Sequence, residues 1–285
     1  MGEDKAAFGL HSQQRGEEKG ARALTLIYLR VVAMFGSELY SRGRFWEVDF
    51  ARGVGIIMMV ISNFVTDLQY FLNYSGHPLF WKLFAYTTAS IFVFISGLSF
   101  WISYSRSIKK SPRPYGKYFR RFGKLFGIGL VITIVTYLFL SDGTIYFGIL
   151  HFLGLASILA IPFYSFGKKN VLFAIFFIFG SLLVSRIHAN TLLFLPLGIT
   201  PQSFFTLDYF PIFPWFGVYL LGLAVGSFAY PKGERSFEVA FPSFIPVEFI
   251  CFAGRHTLKI YVAHQPILVG LLFLLHGGLP NLTIP

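Results

Sequence analysis

The chain has 285 residues, of which 55% are hydrophobic, 19% aromatic and only 13% charged. A soluble domain carries about 25% charge, so this chain has too little polar surface to coat itself for water, and a water-soluble globule is excluded. The net charge of +11 sits in short basic breaks beside long apolar stretches, which assigns it to a membrane boundary and not to nucleic acid.

Residues 1–20 are polar, charged and aperiodic, and read as a disordered tail. Residues 21–37 are apolar but interrupted by Arg22 and Arg30, too short and too charged to span. They suit a helix lying on the membrane surface, so 1–43 forms a tail with a surface amphipathic helix. From residue 44 to 285 the pattern is that of one all-α, polytopic transmembrane domain. Seven spans are predicted, each needing ~20 mostly apolar residues: 48–70, 79–104, 122–140, 149–164, 171–187, 212–228 and 258–275. The fourth and sixth are short. No internal repeat supports a transporter built from inverted halves.

Lys and Arg in the loops fix the orientation. Seven lie in the segment up to Arg44 and eight between Arg106 and Lys124. Lys168 and Lys169 follow the fourth span, and Lys232, Arg235 and Arg255 follow the sixth. The opposite loops carry Arg186 alone. The N-terminus is therefore expected in the cytoplasm and the C-terminus outside, in a multi-pass protein of the plasma membrane.

A charge at mid-membrane costs ~3 kcal/mol or more, so each polar residue in a span needs a reason. Asp49 and Arg52 are three apart at the start of the first span and can pair. That pair either seats the helix start or helps to bind an anion. Asn63 lies three turns beyond Arg52 and Asp67 one turn further, so one stripe of the first span is polar from end to end. Such a stripe either bonds to other helices or lines a cavity, and its length favours the cavity. His77, in the loop Gly76-His77-Pro78, is by spacing alone either solvated or catalytic. His151, Asp208, Arg255, His256, His264 and Gln265 are further polar groups at risk of burial. The seven histidines do not form a metal-ligand spacing, and with one cysteine, Cys251, neither a disulfide within the chain nor a thiolate metal site is expected.

Residues 44–60, Arg-Phe-Trp-Glu-Val-Asp-Phe-Ala-Arg-Gly-Val-Gly-Ile-Ile-Met-Met-Val, resemble the opening signature of the heparan-alpha-glucosaminide N-acetyltransferase catalytic-domain family. Phe147 to Gly154, Asp208 to Gly217 and Gly254 to Pro266 resemble later segments of its prokaryotic branch, in order. The resemblance implies transfer of an acetyl group from cytosolic acetyl-CoA to an amine acceptor on the far side. It places an asparagine of the signature helix on Asn63 and a loop histidine on His77. Asp67, on the same polar stripe as Asn63, is a further catalytic candidate. A histidine can take the proton of an attacking amine or hydroxyl, and an amide can orient it. The basic set Arg52, Lys117, Arg120, Arg121 and Lys124, together with Asp49 and His151, is assigned to the donor, whose phosphates suit cationic clamps. The lysosomal enzyme's polar acceptor-binding ectodomain has no counterpart here. The acceptor is therefore left open within one class, an amine or hydroxyl of a sugar or other small molecule. Expected partners are that acceptor, membrane lipid and a second copy of the chain, without nucleic acid and without metal. The alternative from another class is a small-molecule transporter or flippase using the same polar cavity without CoA chemistry.

Overall fold

A computed structural model describes residues 43–140, 142–242 and 244–276. The predicted N-terminal tail and its surface helix lie outside the described residues. Among those residues the fold is all helical, with eight α-helices and only isolated bridges between extended segments. The helices are α1 Trp46–Leu72, α2 Pro78–Lys110, α3 Tyr115–Phe139, α4 Ile149–Phe163, α5 Asn170–Val184, α6 Ile212–Ala229, α7 Ile245–Arg255 and α8 Thr257–His276.

Six helical runs are long and apolar enough to cross a membrane, one of them the continuous run Ile149–Val184. That run reverses. Gly167 leaves the helical region at φ 50°, ψ −122°. The rings of Phe163 and Phe177 lie 6.5 Å apart, although a straight helix would separate them by about 21 Å. The Asn170 side-chain amide donates to the carbonyls of Phe163 and Gly167 and closes the turn. The expected fourth and fifth spans are thus α4 and α5, an antiparallel hairpin with Lys168 and Lys169 at its tip. Each has 15 residues, about 22 Å of helix, so neither crosses the full ~30 Å of hydrocarbon alone. The remainder on α4's side is filled by a loop that turns back along α3. The Thr133 hydroxyl donates to the Ile145 carbonyl at 2.6 Å, and Ile145 N–H donates to Thr136 at 3.1 Å.

α6 is apolar all round and forms the centre of the bundle. Trp215, Phe216, Tyr219, Leu220 and Leu223 are buried on it. It meets α2 where glycines face each other's backbone: a Cβ on Gly97 would lie 1.9 Å from the Tyr219 carbonyl oxygen, and one on Gly222 would lie 1.9 Å from that of Phe94. A second pair, Gly53 and Gly254, brings α1 and α7 together in the same way. Lipid tails offer no hydrophobic drive for helix association, so close backbone approach at small residues is how these helices hold. Elsewhere the surface is greasy. α3 exposes Leu130, Val131, Ile134 and Leu138, and α5 exposes Leu172, Phe176, Phe179 and Leu183, as lipid-facing helices must.

α7 does not span. Its 11 residues carry Ile245, Phe249 and Phe252 on one exposed stripe while Cys251, Ala253 and Gly254 are buried against α1. It is an interfacial amphipathic helix, turned into α8 at His256.

One expected loop is shorter than its sequence implies. α2 continues to Lys110 and α3 begins at Tyr115, so the basic stretch between Arg106 and Lys124 is mostly helical. This turns a charged loop into two charged helix faces, Arg106 with Lys110, and Lys117 with Arg121 and Lys124.

Candidate active site

Two adjoining cavities open at the N-terminal face of the bundle. The outer one, about 530 Å³, is lined by Arg44, Arg52, Arg106, Lys110 and Lys117, with Asp49 as its one acid. The inner one, about 290 Å³, is lined by Arg52, Arg121, Lys124 and Arg255 at one end and by Phe92, Leu150, Leu153 and Tyr261 deeper in. Arg52 and Ser99 line both cavities and join them.

The cations are held by different means. Asp49 is buried and gives one carboxylate oxygen to Arg44 and the other to Arg52, each at 3.3 Å. Arg106 donates to the backbone carbonyls of Gly43 and Gly233 and stacks on Phe45. Lys117 donates to Ser103 and Ser107. Glu47, outside both linings, binds Arg235 with both oxygens and accepts from Tyr230. Lys110, Arg121 and Lys124 face no carboxylate among the described residues. Uncompensated cations around a cavity set between helices favour an anionic guest.

Beyond Tyr261 the bundle is closed by polar contacts between α1 and α8. The Asn63 amide nitrogen lies 2.8 Å from His264 Nε2. His264 Nδ1 lies 2.6 Å from the Tyr261 carbonyl oxygen. One turn further, Gln265 donates to one oxygen of Asp67 at 2.6 Å. The other oxygen of Asp67 is buried without a hydrogen-bond partner among the described residues. No group of metal-ligating side chains forms among the described residues.

The profile of the heparan-alpha-glucosaminide N-acetyltransferase catalytic family matches residues 44–266, most of the chain. The chain belongs to that family. The family is one of membrane acetyltransferases that use acetyl-CoA as donor. Comparison with curated proteins and with solved structures finds no match.

Set on this family fold, the residues singled out in the sequence divide into three groups. Asp49, Arg52, Lys117, Arg121 and Lys124 come together around the two cavities. Arg120 does not join them: Lys117, Arg121 and Lys124 share one face of α3, whereas Arg120 is rotated away and exposed. His151 also stays outside. Its ring packs against Phe126 and Phe147, and its Nδ1 accepts from Gly148 N–H. The long polar stripe of α1 is only half a cavity wall. Its inner half, Asp49 and Arg52, lines the cavities, and its outer half, Asn63 and Asp67, is bonded to α8. His77 caps α2 at the opposite face, exposed and with left-handed backbone. Asn63 lies nine residues below the end of α1, about 13 Å along its axis, and takes His264 as its partner. The sequence reading missed Arg106 and Lys110 as lining residues, although their i, i+4 spacing was the available signal, and it did not pair His264 with Asn63.

Asp208 sits next to Ile149, which lines the inner cavity. Its carboxylate accepts from Ile149 N–H at the start of α4, at 3.0 Å. The segment around it pairs with the loop before α4, where Phe210 N–H donates to the Phe147 carbonyl. Burial raises the Asp208 carboxyl from 3.8 to about 6, against the opposing effect of the Ile149 hydrogen bond. A carboxyl raised on folding favours the folded state fully below its unfolded value and loses that advantage as pH rises through its folded value. Thermal stability should therefore decline between about pH 4 and pH 6. The shift corresponds to about 3 kcal/mol. Asp208→Asn keeps an oxygen for Ile149 and should abolish this slope, raising the melting temperature at pH 7.5. A slope unchanged in the variant would assign it to other groups.

Proposed function

We propose that this chain carries an acyl group, acetyl in the first instance, across the membrane from CoA at its N-terminal, cytoplasmic face to an amine or hydroxyl acceptor at the outer face of the plasma membrane. The observation that carries this reading is the pair of cavities joined at Arg52. The outer one is rich in arginine and lysine and suits the phosphates and nucleotide of the donor. The inner one is smaller and more apolar, and suits the pantetheine arm with its thioester. The volumes fall within or close to the ~300–1,000 Å³ of ordinary ligand sites. Arg52 offers a planar guanidinium to phosphate oxygens, and Lys110 and Lys117 offer point charges. At the closed end, Tyr261 and the contacts beyond it set the thioester against α1 and α8, and Asp67 with Gln265 continues the polar track outward. His77, exposed at the outer rim, stands where an acceptor arrives, and the resemblance makes it one proposal for the base.

The reaction needs attack of the acceptor on the thioester carbonyl, loss of the acceptor's proton and release of the CoA thiol. A dry, closed end strengthens each polar interaction made there and keeps water from hydrolysing the thioester. Purified protein in nanodiscs should bind acetyl-CoA at least tenfold more tightly than acetyl-pantetheine, because only the former meets the outer cations. Lys110→Ser combined with Arg121→Ser should narrow that gap and reduce the salt dependence of binding. Equal affinity for the two ligands, measured by calorimetry, would overturn the donor assignment.

A further inference from the structure

We propose that His264 is the general base of the transfer, presented to the thioester by Asn63 and by the backbone of its own helix. The inference rests on the acyl-transfer reading above. His264 Nδ1 lies 2.6 Å from the Tyr261 carbonyl, and a carbonyl only accepts, so Nδ1 carries the proton. Nε2 is then a lone pair, and the Asn63 amide 2.8 Å away donates to it. The imidazole is thereby fixed in one tautomer and one orientation, with its basic nitrogen turned toward α1. Asn63 itself is steadied by a second contact, from its amide nitrogen to Met59 Sδ at 3.1 Å.

Position makes this pair more than an interhelical bond. Tyr261 lines the inner cavity, and its ring centroid lies 5.4 Å from that of His264. His264 is three residues further along α8, about 4.5 Å along the axis. His264 itself does not line the cavity; it lies just beyond Tyr261, which does. His264 is 7% exposed, so bulk water does not compete for Nε2.

The step balances without a further reactant. An acceptor amine or hydroxyl displaces the Asn63 amide from Nε2 and gives Nε2 its proton as its nitrogen or oxygen bonds to the thioester carbon. The C–S bond breaks, its electron pair goes to sulfur, and Nε2–H returns the proton to form the CoA thiol. The Asn63 N–H released from Nε2 becomes free to donate to the carbonyl oxygen as charge builds there.

The test is CoA thiol release from acetyl-CoA by nanodisc-embedded protein, with glucosamine and glucose as acceptor probes. His264→Gln retains a donor for the Tyr261 carbonyl and an acceptor for Asn63, but it cannot accept the proton. It should lose 10²–10⁴-fold in rate while acetyl-CoA affinity stays within about threefold. His264→Ala should fall as far and recover at least tenfold with added imidazole, which a packing role would not produce. His264→Gln within a few-fold of the parent, or His264→Ala unrescued while His77→Ala alone abolishes release, would overturn the proposal and leave the donor site standing. A parent protein that neither binds acetyl-CoA nor releases thiol would overturn the acyl-transfer reading itself, and the role of His264 with it.

Discussion

Arg52→Gln should weaken acetyl-CoA binding by about 10- to 100-fold, the largest effect expected of any single cation in the site. Arg52 is the one charged residue that lines both cavities, so it meets the donor where the nucleotide gives way to the pantetheine arm. A hydrogen bond to a charged group is worth roughly 1.5–3 kcal/mol, which sets the expected range. The variant should also lose stability. Asp49 is buried and balanced by Arg44 and Arg52, and removing one partner leaves charge that the interior does not solvate. Asp49→Asn together with Arg52→Gln should restore much of the melting temperature and none of the affinity. This separates the two roles: binding depends on the arginine, and stability depends on the pair. Restored affinity in the double variant would mean that Arg52 only neutralises Asp49. Affinity within threefold of the parent in Arg52→Gln would remove Arg52 from the donor site.

The sequence carried the membrane fold because each span writes its own length in apolar residues. The spans of α1, α6 and α8 are legible within two residues, whereas α2 runs six residues past its expected end and α3 starts seven before its expected start. The hairpin of α4 and α5 was also legible as two spans, since Gly167 and the two lysines mark a turn. Less visible was α7. Its 11 residues are too short for a span, and its burial depends on Gly254 meeting the α1 backbone, a contact between positions some 200 residues apart. The cationic half of the site was visible as a charge cluster. Which members face inward follows from helix phase, and the phase of Arg120 became clear only once α3 was seen to start at Tyr115. The polar residues of α1 could be placed on one face, but a face does not name its partner. Asn63 meets His264 and Asp67 meets Gln265 because α7 breaks at His256 and α8 then climbs alongside α1. That reversal sets the register of the two helices, and it is a property of the whole packing.

Gly222→Leu should destabilise the bundle by about 3 kcal/mol or more, and in detergent it should leave little folded protein. Even a Cβ at this position would sit 1.9 Å from the Phe94 carbonyl oxygen, inside any permitted contact, and the obstacle is backbone that no rotamer change removes. α2 and α6 must then separate. Gly97 faces the Tyr219 backbone across the same crossing, so its close contact is lost as well. Buried Trp215, Tyr219 and Leu223 pack around this seam, and a gap there forfeits contacts that lipid replaces poorly. Gly97→Leu should have a comparable effect for the same reason. Gly123 supplies the control: it lies in α3, and a Cβ there would meet nothing within 4 Å, so Gly123→Leu should shift the melting temperature only slightly. Gly and other residues differ by ~1 kcal/mol or less in helix propensity, so propensity alone cannot produce the large loss at Gly222. Thermal unfolding in nanodiscs, read by tryptophan fluorescence, ranks the three variants. If Gly222→Leu and Gly123→Leu melt together, close backbone approach does not hold α2 against α6, and the seam depends instead on the aromatic side chains around it.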